Sequence, residues 1–381
     1  MSSAGIPSLL RTRDIIDPCM LSLLWSSCTR LTCVTAYPLL EANRSAITSV
    51  ERRTFSYGTN DTHKLDVCRP ADLPQEKVHS YGGGHDPSLE PSSKSFDNSR
   101  ASSPVLMFIY GGGLTKGSRA GHSPPDDLVH TNLGAFFAKR GFVTVIPDYR
   151  LVHPPQAGEP ISSKSITYPE GSEDVRDAID WTIDRLQDEW PELKADPATL
   201  FLLAHSAGGV HLSSLLLTPA LSSSTNTSNT FEKVRGIAFL GVPFAPAPSR
   251  RVFYDNALLY YGSPSLLSIN HPMALLKKAP PRLIKSLPPL RNMCAASEPK
   301  AIASGIRSFT EEWRKKAATD TGTRNEAMNK TGVGIEEVVL ESHDHLSPIL
   351  ALSTGNVAGE KWGEELVQWM RNILLKDANA E

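Results

Sequence analysis

The chain has 381 residues, of which 40% are hydrophobic and 21% charged, proportions usual for a water-soluble globular protein. Its 39 Lys and Arg nearly balance 41 Asp and Glu, so the electrostatic footprint of a nucleic-acid binder is missing. No apolar run reaches the ~18 uninterrupted residues of a spanning helix, and stable membrane insertion is not expected. Five cysteines (Cys19, Cys28, Cys33, Cys68 and Cys294) show neither CxxC nor Cys/His spacing, so no metal site is expected. Reduced thiols in a cytoplasmic protein are the simplest reading, with one disulfide among the first four left open. Sequons begin at Asn43, Asn60, Asn226 and Asn329, but the charged N-terminus lacks the pattern of a clean signal peptide.

In chain order, residues 1–52 read as an N-terminal extension, with a helix or two beside the core. Two short strands are expected within 53–69, around the Gly58-Thr59-Asn60-Asp61 turn. Residues 71–103, rich in Pro, Ser and Gly, read as a flexible insertion. A buried strand follows at Val105–Tyr110, then a helix over 127–139, a strand at Phe142–Ile146 and a long helix over 170–190 with apolar residues at helical spacing. Strand 199–204, helix 207–217 and strand 234–242 come next, then strand 290–295, helix 300–317, strand 336–341 and a closing helix over 359–375. Such alternation predicts an α/β fold, a mostly parallel central sheet with helices on both faces. The core is expected over 53–245 and 288–381, with 246–287 inserted between its parts as a small cap.

The sharpest local signal is Leu203-Ala204-His205-Ser206-Ala207-Gly208-Gly209, between an apolar strand and an apolar helix. A serine on a tight strand-to-helix turn projects its Oγ above the sheet, and small neighbours (Ala204, Gly208) let strand and helix approach. The alternative for Ser206 is a plain helix N-cap. Tyr110-Gly111-Gly112-Gly113 directly follows the first core strand, where bare N–H groups of Gly111 and Gly112, with that of Ala207, can face a developing oxyanion. Tyr81-Gly82-Gly83-Gly84 has the same letters but no preceding strand, and reads as loop.

His343-Asp344-His345-Leu346 follows the 336–341 strand and offers two candidate bases, His345 and His343. The acid is expected between serine and histidine in the chain, after the penultimate strand, which points to Glu298; Asp320 and Asp255 are fallbacks. Polar loop residues without a catalytic part are the alternative for all of these.

With YGGG at 110–113, Asp148-Tyr149-Arg150-Leu151, HSAG at 205–208 and HDHL at 343–346 in this order, the chain resembles the hormone-sensitive-lipase-like branch of the α/β-hydrolase superfamily. That branch includes carboxylesterases and kynurenine-formamidase-like proteins. The related Asp-His-Phe pattern of the family favours His345 over His343. The resemblance implies Ser206, His345 and Glu298 as a catalytic triad, an oxyanion hole of Gly111, Gly112 and Ala207, a structural Asp148 and no cofactor. It further implies hydrolysis of a small-molecule ester or amide, with aryl formamidase and acyl-transfer or lactone chemistry as alternatives. A non-catalytic ligand-binding protein of the same fold is the alternative of another class. Phe253, Leu258, Leu259, Tyr260 and Tyr261 read either as an apolar substrate wall or as packing within the cap.

Overall fold

A computed structural model describes residues 27–70, 102–121, 126–154, 165–222, 230–319 and 334–378. Most of the expected 71–103 insertion, with its Tyr81–Gly84 run, lies outside the described residues, as do Cys19, Asn226, Asp320 and Asn329. Among the described residues Cys68 and Cys294 are buried free thiols, and no helix is long and apolar enough to cross a membrane.

Eight strands form one sheet: β1 (Arg52–Ser56), β2 (Lys64–Cys68), β3 (Ser103–Ile109), β4 (Val143–Pro147), β5 (Ala195–His205), β6 (Val234–Leu240), β7 (Leu290–Ala295) and β8 (Ile335–Leu340). Their spatial order is β1-β2-β4-β3-β5-β6-β7-β8. Only β1–β2 and β2–β4 pair antiparallel; the remaining neighbours are parallel. Val105 to Ile109 of β3 are at most 1% exposed, which is why this strand reads as a continuous apolar run rather than an alternating one. Chain direction across the sheet switches at β3, whose sequence neighbour β4 lies on one side and β5 on the other. The crevice above such a switch, at the carboxyl ends of the strands, is where ligands bind in open parallel sheets.

Helices α1 (Ser27–Ala42) and α2 (Arg44–Thr48) precede the sheet, and α3 (Thr131–Ala138), α4 (Glu170–Asp184) and α5 (Ala207–Leu217) are set between its strands. Four short helices join β6 to β7: α6 (Arg251–Tyr261), α7 (Pro264–Asn270), α8 (Pro272–Lys278) and α9 (Pro281–Ser286). Then come α10 (Lys300–Ala318), α11 (Ser347–Ala351) and α12 (Val357–Ala378). Proline at the first turn of α7, α8 and α9 starts each helix where an N–H would be unsatisfied anyway. Tyr37, Leu40 and Ile47 of the N-terminal helices form a second apolar cluster with Leu128, Val129 and Leu350.

Two expected helices are interrupted. The 127–139 helix splits into a 3-10 turn, Asp126–Leu128, and α3, because His130 takes φ 67° between them. Its Nδ1 lies 2.7 Å from the Ser118 carbonyl and its ring stacks on Tyr110, contacts that hold it out of helical geometry. The 170–190 helix ends at Asp184; Arg185 turns to φ −120° and a separate turn, Leu186–Glu189, buries Leu186. Strand β5 is longer than expected, since Ala195 and Asp196 already pair with Ser103 and Pro104 before a register shift.

Buried histidines make stability depend on pH. His211 is 1% exposed; its Nδ1 lies 3.1 Å from the Tyr260 hydroxyl, and burial pushes its pKa down to about 4. Because the unfolded imidazole titrates near 6.5, the unfolded chain binds the extra proton between these values. The stability from this group is full above pH ~6.5 and is lost as pH falls to ~4, about 3 kcal/mol in all. His205, held neutral chiefly by burial, acts with the same sign. Urea unfolding at pH 7.5, 5.5 and 4.5 should show this decline, and His211→Gln should flatten it; parallel declines in both proteins would contradict the assignment.

Candidate active site

Ser206 occupies the turn between β5 and α5 at φ 50° and ψ −120°, a conformation costing a non-glycine residue ~1–3 kcal/mol. Its N–H bonds to the Leu240 carbonyl at 3.0 Å, anchoring the turn to β6. The turn depends on Gly208, where a Cβ would lie 2.3 Å from the Tyr110 oxygen and 2.4 Å from the Ile109 oxygen. Both obstacles are backbone, so neither can rotate away. Gly208→Val is expected to lower stability by about 3 kcal/mol or more, read as the urea midpoint. A stability within about 0.5 kcal/mol of wild type would show that the contact is not needed.

The other elements converge on Ser206 from neighbouring strand ends. The loop after β7 carries Glu298 and the loop after β8 carries His345; the Ser297 N–H donates to the His343 carbonyl at 2.9 Å, tying the two loops together. His345 Nε2 is 3.0 Å from Ser206 Oγ, and His345 Nδ1 is 2.5 Å from Glu298 Oε1. The side chains of His345 and Glu298 are 7% and 1% exposed, so this chain of contacts is shielded from water. Beneath it Gly241 takes φ 59°, and a Cβ there would come within 3.1 Å of both Glu298 Oε2 and His345 Nδ1.

The remaining candidates go elsewhere. His343 Nδ1 lies 3.0 Å from the Ser347 hydroxyl, and Asp344 Oδ1 accepts from the N–H groups of Leu346 and Ser347, at the start of α11. Asp255 sits on the exposed side of α6 beside Arg251. Asp148 is part of no proton path: the Tyr110 hydroxyl donates to it at 3.1 Å and the Arg119 N–H at 2.5 Å, which fastens the glycine loop. Burial raises the Asp148 pKa, while these donors pull it back down. Tyr149 completes the brace by donating from its hydroxyl to the Tyr110 carbonyl at 2.7 Å, and Arg150 forks onto Asp174 of α4.

Gly111 is in contact with the serine, since a Cβ on it would lie 2.7 Å from Ser206 Cβ. Gly112 takes φ 147° with the Lys116 carbonyl against it, so no side chain fits there either. The N–H groups of Gly111 and Gly112 have no acceptor among the described residues. Ala207 follows the serine at the first turn of α5, where helix N–H groups lack intrahelical partners.

Two chambers meet at Ser206, Gly113 and Phe253. One is lined by Gly111, Gly112, His130, His345 and Ile349. The other is walled by Ala207, Val210 and residues of the 243–272 segment. Of the five apolar residues singled out in that segment, Phe253 and Tyr261 line the chambers, whereas Leu258 and Leu259 pack on the core and Tyr260 is fully buried. Sequence reasoning missed two contributors. His205 donates from Nε2 to the His345 carbonyl at 2.9 Å, steadying that loop, and Arg250 lines the chamber walled by the 243–272 segment. Neither carries a local pattern that separates it from an ordinary polar residue.

The sheet order and a strained serine at the switch point define the chain as a protein of the α/β-hydrolase fold. Residues 95–236 match the BD-FAE family, a stretch that takes in Gly111–Gly113 and Ser206 but ends before Glu298 and His345. No curated protein matches the chain in sequence. Among solved structures, esterase B from Lactobacillus rhamnosis, described with a tributyrin phosphonate, is similar at a TM-score of 0.57 and 12% identity, over 92% of this chain and 96% of that one. Carboxyl esterase 2 from the mycorrhizal fungus Tuber melanosporum gives a TM-score of 0.54 at 13% identity, over 85% of this chain and 87% of that one. A thermophilic esterase from Thermogutta terrifontis, with propionate bound, gives 0.50 at 18% identity, over 87% and 95%. At such identities the likeness establishes the fold.

Proposed function

We propose that the protein is a serine hydrolase that cleaves a carboxylic ester of a small molecule through an acyl-enzyme on Ser206. The observation that carries this reading is the unbroken path from Ser206 Oγ to His345 Nε2 at 3.0 Å and from His345 Nδ1 to Glu298 at 2.5 Å. A ligand-binding protein has no need of a serine held in a costly backbone conformation beside an oriented imidazole.

The chemistry follows from the roles the geometry supports. Ser206 Oγ bonds to the acyl carbon as His345 Nε2 takes its proton, and the carbonyl oxygen becomes an oxyanion facing the N–H groups of Gly111, Gly112 and Ala207. The C–O bond to the alcohol then breaks, and His345 returns the proton to the leaving oxygen. Water repeats the sequence on the acyl-enzyme, releasing the acid and restoring the serine. Glu298 keeps the proton of the neutral imidazole on Nδ1 and balances the imidazolium. The helices between β6 and β7 act as a cap, whose Phe253 and Tyr261 present an apolar wall to the substrate.

A fluorophosphonate probe on the purified protein tests the reading. Covalent labelling located at Ser206 by peptide mass, absent in Ser206→Ala and sharply reduced in His345→Ala, is the expected result. A folded protein that stays unlabelled and inert toward short-chain esters would favour ligand binding instead.

A further inference from the structure

Within the chamber between Ser206 and the 243–272 segment, every lining side chain but one is uncharged or, for His271, held toward its neutral form by burial. The exception is Arg250, just before α6. It is partly buried, and its guanidinium carbon lies 4.8 Å from the centroid of the Phe253 ring. No carboxylate among the described residues forms an ion pair with it, whereas Arg44, Arg119, Arg140, Arg150 and Arg291 all have carboxylate partners. Burial lowers the Arg250 pKa, and the charge of Glu298 opposes this from beyond contact distance. A partly buried guanidinium on an apolar wall, with no carboxylate beside it, is ready for a planar anion, which it grips with two parallel hydrogen bonds.

The two chambers differ in which part of an ester they can take. His345 must protonate the leaving oxygen, so the chamber it lines receives the alcohol part. His345 does not line the chamber with Arg250, which leaves that chamber for the acyl part.

Resting on the proposed hydrolase reading, we infer that Arg250 receives a carboxylate at the far end of the acyl group, so that the preferred substrates are monoesters of dicarboxylic acids. The ring of Phe253 supports the guanidinium from one face, and the apolar wall between Ser206 and Arg250 takes the methylene chain. Neutral acyl groups of the same length leave the cation without a partner and bind less well.

Mono-4-nitrophenyl adipate and its methyl-capped neutral counterpart provide the test. The wild type is expected to favour the carboxylate by about tenfold or more in kcat/KM, mainly through KM. Arg250→Leu should bring this ratio to one or below, and Arg250→Lys should retain only part of it, because charge survives but the fork is lost. Ser206-dependent hydrolysis with no preference for the carboxylate, or a preference that survives Arg250→Leu, would overturn the inference and leave the hydrolase reading intact. Should neither ester turn over, calorimetry with monomethyl and dimethyl adipate on Ser206→Ala, with and without Arg250→Leu, gives the separate answer. Arg250-dependent selection of the anion there would support the site while the hydrolase reading fails; equal binding of both ligands would overturn it.

Discussion

Ser206→Ala is expected to lower kcat/KM for carboxylic esters by about 10⁴- to 10⁶-fold while the protein remains folded. The nucleophile is the one group that forms and breaks a bond to the acyl carbon, so no neighbour substitutes for it. Alanine keeps the Cβ that already fits the turn at φ 50°, and the Ser206 N–H bond to Leu240 is a backbone contact that the substitution leaves alone. In the proposed mechanism the residual rate comes from the Gly111, Gly112 and Ala207 N–H groups acting on water attack. Because serine and imidazole act as one unit, Ser206→Ala/His345→Ala should lose little more than either single variant. Steady-state kinetics beside a urea unfolding curve measure both parts. A loss below tenfold with the fold intact would move the nucleophile elsewhere.

Glu298→Gln is expected to cost about 10⁴-fold in kcat, with KM little changed. Its carboxylate is 1% exposed and meets His345 Nδ1 at 2.5 Å, a geometry in which it accepts a hydrogen bond from Nδ1–H and leaves Nε2 free to receive the proton of Ser206. An amide of the same shape can turn its NH₂ toward Nδ1, which moves the ring proton to Nε2. There it points at the serine and blocks the transfer. Glu298→Asp keeps the charge but withdraws it by one methylene and should fall between the two. The sharper reading is a comparison of kcat with fluorophosphonate labelling, which should slow in parallel. A Glu298→Gln loss of less than tenfold would mean that another group orients His345.

The central sheet was legible because its signals are local. A run such as Val-Leu-Met-Phe-Ile needs no distant partner to be recognised as a strand buried on both faces, and strands β6 to β8 were read to within two residues of where they lie. Ser206 stood out for the same reason, since the small residues that let strand and helix approach must be its sequence neighbours. Chain order and loop position point to Glu298 as the candidate acid, and the fold places it against His345 Nδ1. The helix breaks at His130 and Arg185 were illegible, because periodicity describes a face and not the contact that interrupts it.

What the sequence determined by itself was thus the alternation of elements and the small set of residue types at each strand end. It could not choose between His343 and His345 from the residues alone, because two imidazoles two positions apart on one loop are equivalent until something anchors the loop. The tertiary structure makes the difference by hydrogen bonding: Ser347 sits beside His343, while His205 and the loop after β7 turn His345 toward Ser206 and Glu298. It likewise decided which aromatics of α6 face the chambers and which pack inward, and it alone set Arg250 on an apolar wall. Local pattern follows from backbone geometry and burial, which neighbouring residues share. The meeting of side chains from β3, β5, β7, β8 and α6 is a matter of crossing angles and loop paths, which no single stretch of the chain contains.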